Sequence, residues 1–383
     1  MNGINSSNSA RAGKAAGASA GAAAGANTSG QFEKSERLGV AVIGCGRISR
    51  SHLAAVSSQP ELARLVATVD SDRALAEKAA AHYGAQMALT DIDEVLARTD
   101  IDAVVLCLPN HLHAPVAIAA AQAHKHVLVE KPMADRAEQA ISMAAAAERN
   151  GVVLAIGQCR RYFRAIEYLV EKQSGLSEFG ALISVQVSLG VYWGDAQAPW
   201  WREADKAAGL VVALNGPHVV DFVQLVMGDD PVRVHAEAVR RKAYWAGEDE
   251  AMMLFAYPDR RLASVHLSFN QEPVENRKVL VFEHGTAIIE GDRHLSFNGK
   301  TLVEPGEDEQ RHYLDEAVEF RRQFREFAMA ARGRPNRAVT AAEGIRLMRT
   351  LDAVHRAFGT GETVQLNPGA VAGPEQRSSY ASP

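Results

Sequence analysis

With 383 residues, 47% of them hydrophobic and 23% charged, the chain is long enough for two ordinary domains with substantial cores. A net charge of -5 with no large basic block argues against nucleic acid or an anionic membrane surface as partner. No apolar run reaches the roughly 18 residues that a transmembrane helix requires.

Residues 1–36 are rich in Ala, Gly, Ser and Asn and carry almost no large apolar side chain, so a disordered tail is expected. They lack the apolar core of a secretory signal, and Arg11 and Lys14 form no twin-arginine pair, which points to the cytoplasm. Cys45, Cys107 and Cys159 stand far apart without C-x-x-C or Cys/His spacing. They read as small buried residues in a reducing compartment, and no metal site is expected.

The run Gly39-Val-Ala-Val-Ile43 reads as a buried strand leading into Gly44-Cys-Gly46-Arg47-Ile48-Ser49 and then into helical spacing. Gly44 permits a tight turn, and Gly46 lets the backbone approach a pyrophosphate at a positive helix end. Ser49 replaces the third glycine, and its hydroxyl is positioned to donate to phosphate. A second strand, Leu65–Val69, ends at Asp70, near the spacing at which an acid meets the adenosine ribose. Dinucleotide binding follows from that order, with NAD favoured by Asp70 and NADP possible through Arg73.

Residues 37–157 alternate strand and helix, with strands at 40–43, 65–69, 103–108, 126–130 and 152–156 and helices at 51–58, 73–83, 114–123 and 136–150. This is the pattern of a doubly wound parallel sheet, whose strand C-termini share the ligand edge. From 158 to 368 a helix at 164–173 precedes strand-like runs at 182–189, 232–240, 250–257, 262–268, 277–283, 286–290 and 294–297. Their alternation predicts an α+β domain with a large, mostly antiparallel open sheet, closed by helices at 314–332 and 341–358. A flexible tail is expected at 369–383.

Two strand ends carry unusual sequences, Pro109-Asn110-x-x-His113 and Glu130-Lys131-Pro132. Lys131 is held between a strand end and a proline that keeps it out of the αR region. Burial there lowers a lysine pKa toward the range useful in acid/base chemistry; the bland alternative is a surface lysine. In Asn215-Gly216-Pro217-His218, the proline suits a first helical turn, so His218 is expected at a helix N-terminus and biased toward neutral. Asp221, three residues on, is placed to orient its ring, against the alternative of a core or capping histidine.

In these motifs the chain resembles the glucose-fructose oxidoreductase, inositol dehydrogenase and MocA-like NAD(P)-dependent oxidoreductases, from Leu38 to about Leu366. The resemblance implies a Rossmann domain followed by a domain whose open sheet often makes oligomer contacts. It implies Lys131 and His218 as catalytic residues, with Gly44, Gly46, Arg47, Ile48, Asp70, Pro109, Asn110, His113, Glu130 and Lys131 at the cofactor. Arg160-Arg161-Tyr162 and Trp200-Trp201-Arg202 also look like the family, which makes Arg161, Tyr162, Trp201, Arg202, Asn215 and Asp221 candidates for the substrate wall. One position departs: the family usually has Asp or Asn four residues before the histidine, and here Leu214 stands there.

The reading is an NAD(P)-dependent enzyme acting on a hydroxyl/ketone pair of a sugar, sugar derivative or cyclitol, as a homo-oligomer (dimer or tetramer) in the cytoplasm. The alternative, motivated by Leu214, is a catalytically impaired dinucleotide-binding regulatory or scaffold protein; retention of Lys131 and His218 argues against it.

Overall fold

The structure, a computed structural model, describes residues 37–173, 178–195, 202–203, 209–310 and 314–366. The tails expected at 1–36 and 369–383, and Trp200 and Trp201, lie outside the described residues.

The first part of the chain runs β1 (Leu38–Ile43), α1 (Ser49–Ser57), β2 (Ala63–Val69), α2 (Arg73–Tyr83), β3 (Met87–Leu89), α3 (Ile92–Leu96), β4 (Ala103–Leu106), α4 (Asn110–Gln122), β5 (His126–Glu130), α5 (Ala137–Arg149) and β6 (Leu154–Gly157). Its six strands form a parallel sheet in the order β3-β2-β1-β4-β5-β6. The order reverses between β1 and β4, the place where a doubly wound sheet opens a crevice for a ligand. β1 and β4 are buried throughout because both sheet faces are covered, which is why they read as unbroken apolar runs. β3 and α3, of three and five residues, are too short to show a period and were not anticipated.

A 3₁₀ turn, Cys159–Tyr162, leads into α6 (Arg164–Gln173), β7 (Leu182–Tyr192), α7 (Val211–Met227), β8 (Arg233–Val239), β9 (Glu250–Ala256), β10 (Leu262–Ser268), β11 (Asn270–Phe282), β12 (Gly285–Glu290), β13 (His294–Phe297) and β14 (Lys300–Val303). α8 (Val318–Ala331), α9 (Ala341–Thr360) and β15 (Val364–Gln365) follow. Nine strands pair in the order β14-β13-β12-β11-β7-β10-β9-β8-β15, antiparallel except for β7 with β10. Along β9, Ala251, Met253 and Phe255 are buried while Met252 and Leu254 are exposed, so one face is covered and the other open.

α8 does not stay with the second sheet. Phe320, Phe324 and Phe327 share a core with Val40 and Val42 of β1 and Leu53 of α1, and each buried ring contributes up to about 3 kcal/mol. The Ile156 N–H also donates to the Val339 carbonyl at 3.0 Å. Residues 318–331, which follow the boundary expected at 157, thus complete a layer over the parallel sheet. The helix expected at 314–332 is a short 3₁₀ turn, Leu314–Glu316, followed by α8. Among the described residues, no helix is long and apolar enough to cross a membrane.

Candidate active site

Gly44 takes φ +92°, and a Cβ there would sit 2.3 Å from the Cys107 carbonyl oxygen, so the close approach just past the ends of the parallel neighbours β1 and β4 admits only glycine. A Cβ on Gly46 would meet nothing within 4 Å: it would project into open space at the start of α1. No side chain caps that helix. Asp70 accepts from the Cys45 N–H at 2.7 Å and the Asp72 N–H at 2.9 Å, which fixes its carboxylate beside the turn. An exposed glycine turn, an uncapped helix start and a neighbouring carboxylate fit the pyrophosphate and ribose of a dinucleotide. Arg47 is exposed at the turn and Ile48 half-buried behind it. Ser49 does not face a phosphate as expected: it is buried, and its hydroxyl donates to the Gly46 carbonyl at 2.6 Å.

Pro109 and Asn110 open α4 on the same edge. His113 is fully buried, with Nδ1 2.8 Å from the Pro132 carbonyl and Nε2 2.9 Å from the Leu108 carbonyl. It ties the turn after β4 to the turn after β5, so it shapes the cofactor edge from behind and is not placed to touch the cofactor. Glu130 is likewise turned inward. One carboxylate oxygen lies 2.7 Å from Nε2 of buried His52 and the other accepts from the Lys131 N–H at 3.1 Å.

Lys131 follows at the end of β5, half-buried, and its Nζ donates to the Leu214 carbonyl in α7 at 3.0 Å. Burial lowers its pKa below the ordinary lysine value, while the Glu130 charge works the other way. The residue whose side chain departs from the family pattern thus supplies its backbone oxygen to the lysine.

His218 is not at a helix N-terminus. α7 begins at Val211, and Pro217 and His218 stand in its interior. The start is set by Glu248, whose carboxylate accepts from the Leu210 and Val212 N–H groups at 2.9 Å each, a cap delivered from a distant loop. The neutral bias expected of His218 holds in direction but has another cause: burial first, then the charges of Lys131, Arg160 and Lys278, push its pKa well below 6.5. Its Nδ1 is buried without a hydrogen-bond partner among the described residues. Asp221 does not orient the ring. It makes a two-point pair with Arg161, at 2.8 and 2.7 Å, and Arg161 reaches on to Glu343 at 2.5 Å.

Arg161 is held by these two carboxylates and still lines the small cavity beside His218, whereas Tyr162 is buried with its hydroxyl donating to the Arg337 carbonyl at 3.0 Å. Arg202 is exposed and paired with Asp195, and Asn215 is half-buried one turn before His218. Beside His218 lies a small cavity whose lining includes Arg160, Phe222, Lys278 and Asp292. Arg160 donates to Asp292 at 3.1 Å, and Lys278 donates to Asp292 and, at 2.9 Å, to Asn276. These residues were not assigned roles from sequence. The parity of β11 carries a signal: Lys278 shares its phase with buried Leu280 and Phe282, a lysine where the pattern calls for an apolar side chain.

Residues 38–158 match the profile of the oxidoreductase family with an NAD-binding Rossmann fold, and residues 173–288 match the GFO/IDH/MocA C-terminal domain. The chain belongs to the Gfo/Idh/MocA oxidoreductases. Relatives of this Gfo/Idh/MocA member include 1,5-anhydro-D-fructose reductase of Ensifer adhaerens, 27% identical over 77% of this chain and 89% of that protein. D-xylose 1-dehydrogenase (NADP(+)) 2 of Haloferax volcanii is 28% identical over 86% of this chain and 98% of that one. Among solved structures, GenD2 from gentamicin A biosynthesis in complex with NAD superposes with a TM-score of 0.76 at 25% identity, covering 87% of this chain and 97% of that one.

Proposed function

We propose that this Gfo/Idh/MocA oxidoreductase interconverts a hydroxyl and a ketone on a sugar, sugar derivative or cyclitol, with Lys131 handling the proton of the substrate oxygen. The observation that carries the reading is the Lys131 ammonium at the ligand edge of the parallel sheet, 3.0 Å from the Leu214 carbonyl of the helix that bears His218. Bound nicotinamide supplies hydride donor or acceptor chemistry at that edge. In oxidation, Lys131 as the free amine takes the hydroxyl proton; in reduction, its ammonium gives the proton to the nascent alkoxide. His218, neutral and with Nδ1 uncommitted, is suited to hold a substrate oxygen by a hydrogen bond without competing for that proton. The relatives named for sugar substrates support this substrate class, and Asp70 supports NAD over NADP.

We also assign the exposed face of the second sheet to contact with a second copy, since Ile183, Met252, Leu254 and Leu262 stand there as exposed large apolar side chains. Three free thiols favour a reducing, cytoplasmic location. The activity test is absorbance at 340 nm with NAD(H) and a panel of polyols, aldoses, keto-sugars and cyclitols. Turnover on at least one such compound is expected, while NADH binding without turnover on any would favour the regulatory reading.

A further inference from the structure

We propose that His52 is a positioning residue for Lys131: from the helix that follows the glycine turn, it grips the Glu130 carboxylate, whose other oxygen holds the Lys131 N–H and whose charge acts on the lysine ammonium. The inference rests on Lys131 as the group that handles the proton. Its geometry is a continuous chain. His52 stands in the second half of the first turn of α1, just beyond the dinucleotide turn, and is 1% exposed. Its ring also meets Phe320 of α8 edge to face at 5.0 Å. Nε2 lies 2.7 Å from one Glu130 oxygen, and the other Glu130 oxygen accepts from the Lys131 N–H at 3.1 Å. Gly157 packs against Glu130 on one side, so closely that a Cβ there would lie 3.0 Å from Oε1.

The electrostatics run in the same direction. Burial disfavours the Glu130 carboxylate, but the hydrogen bond and charge of His52, with Lys131 and His113 behind them, outweigh it and hold its pKa below the usual range. The Glu130 charge in turn opposes the lowering of the Lys131 pKa by burial. The other titratable groups facing this pair are Cys107 and Cys159, whose thiols burial pushes up, together with His113, Arg160 and His218. Without His52, a buried carboxylate loses its main partner, and Lys131 loses both its anchor and part of its counter-charge. Such a link places the proton-handling lysine under the control of the helix that begins at the cofactor turn.

The test needs a readout independent of turnover. Labelling of Lys131 by a small acylating reagent, followed against pH by peptide mass spectrometry, reports the protonation of its amine directly. In His52→Ala, the pH of half-maximal labelling should fall by at least about half a unit, and kcat on the best substrate should drop about 10-fold or more. In His52→Gln, whose amide N–H can still reach Glu130, both should return toward wild type. If His52→Ala does not fold, Glu130→Gln, which keeps the shape and removes the charge, should give the same downward shift. An unchanged labelling curve in His52→Ala, whatever its melting temperature, or a Gln variant as impaired as Ala, overturns the proposal. If labelling shifts as expected but no compound is turned over, the coupling stands and the dehydrogenase reading falls.

Discussion

Replacing Lys131 separates a proton-transfer role from a purely electrostatic one. Lys131→Met keeps most of the stem and removes both charge and proton, whereas Lys131→Arg keeps the charge on a group that does not deprotonate. Burial lowers the Lys131 pKa below 10.5. In the oxidative direction the free amine is the active form, so kcat/KM should rise with pH through a limb below 10.5; in the reductive direction it should fall through the same limb. His218 cannot produce that limb, because its pKa lies well below 6.5 and it stays neutral throughout. Loss of the general acid/base should cost about 10² to 10⁴ in kcat, or about 3 to 5 kcal/mol of transition-state stabilisation. The ground-state loss is smaller: Nζ makes one hydrogen bond, to Leu214, worth about 1.5 to 3 kcal/mol for a charged donor, and the half-buried position lets water take its place. NADH affinity, read by fluorescence, should stay within a few-fold. Both variants should lose the limb together with the rate. A Lys131→Arg enzyme near wild-type rate would show that charge alone suffices, and a limb that survives in Lys131→Met would place proton transfer on another group.

Three further outcomes follow from the geometry. Asp70→Ala should raise kcat/KM with NADP relative to NAD, because the carboxylate pinned by the Cys45 and Asp72 N–H groups repels a 2′-phosphate; a wild type that already prefers NADP would refute this. Gly46→Ala should keep the wild-type melting temperature but weaken NADH binding at least about 10-fold, since its Cβ fills only the cradle, whereas Gly44→Ala should destabilise the fold itself; equal effects in the two would refute the assignment. Asp352 accepts from the Ala137 N–H at the start of α5, and burial pushes its pKa up to about 6. A folded pKa raised above the unfolded value means that the folded state holds the extra proton, so stability from this group is gained as pH falls through 6 and is lost above it. Asp352→Asn should therefore be more stable than wild type by about 1 to 2 kcal/mol at pH 8, allowing for partial solvent screening, and urea midpoints should converge near pH 4.

How far the site could be read from sequence depended on whether its geometry is local. Gly44, Gly46 and Asp70 belong to one strand-turn-helix-strand unit whose spacing fixes their placement, and the structure keeps them together. Lys131 was readable for the same reason, as the residue that ends a buried strand before a proline. The start of α7 was not, because its cap, Glu248, arrives from 36 to 38 residues away, and a proline that suits a first turn was read as marking one. Nor was the inward turn of His113 and Glu130: a motif shows that residues stand on an edge, while partners from α1 and from the next turn decide which way they point.

Asp221 shows how magnitude settles what spacing leaves open. Three residues after His218 on one helix, it is equally placed for the imidazole or for a partner from another element. A neutral imidazole offers it one N–H and no charge. The Arg161 guanidinium offers two parallel N–H groups, at 2.8 and 2.7 Å, and a full positive charge in a buried setting. Burial raises the pKa of Asp221 and the Arg161 charge and hydrogen bonds oppose that rise, with both carboxylate oxygens committed to the arginine. His218 is left with Nδ1 buried and without a hydrogen-bond partner among the described residues, so Asp221 does not set the orientation of its ring.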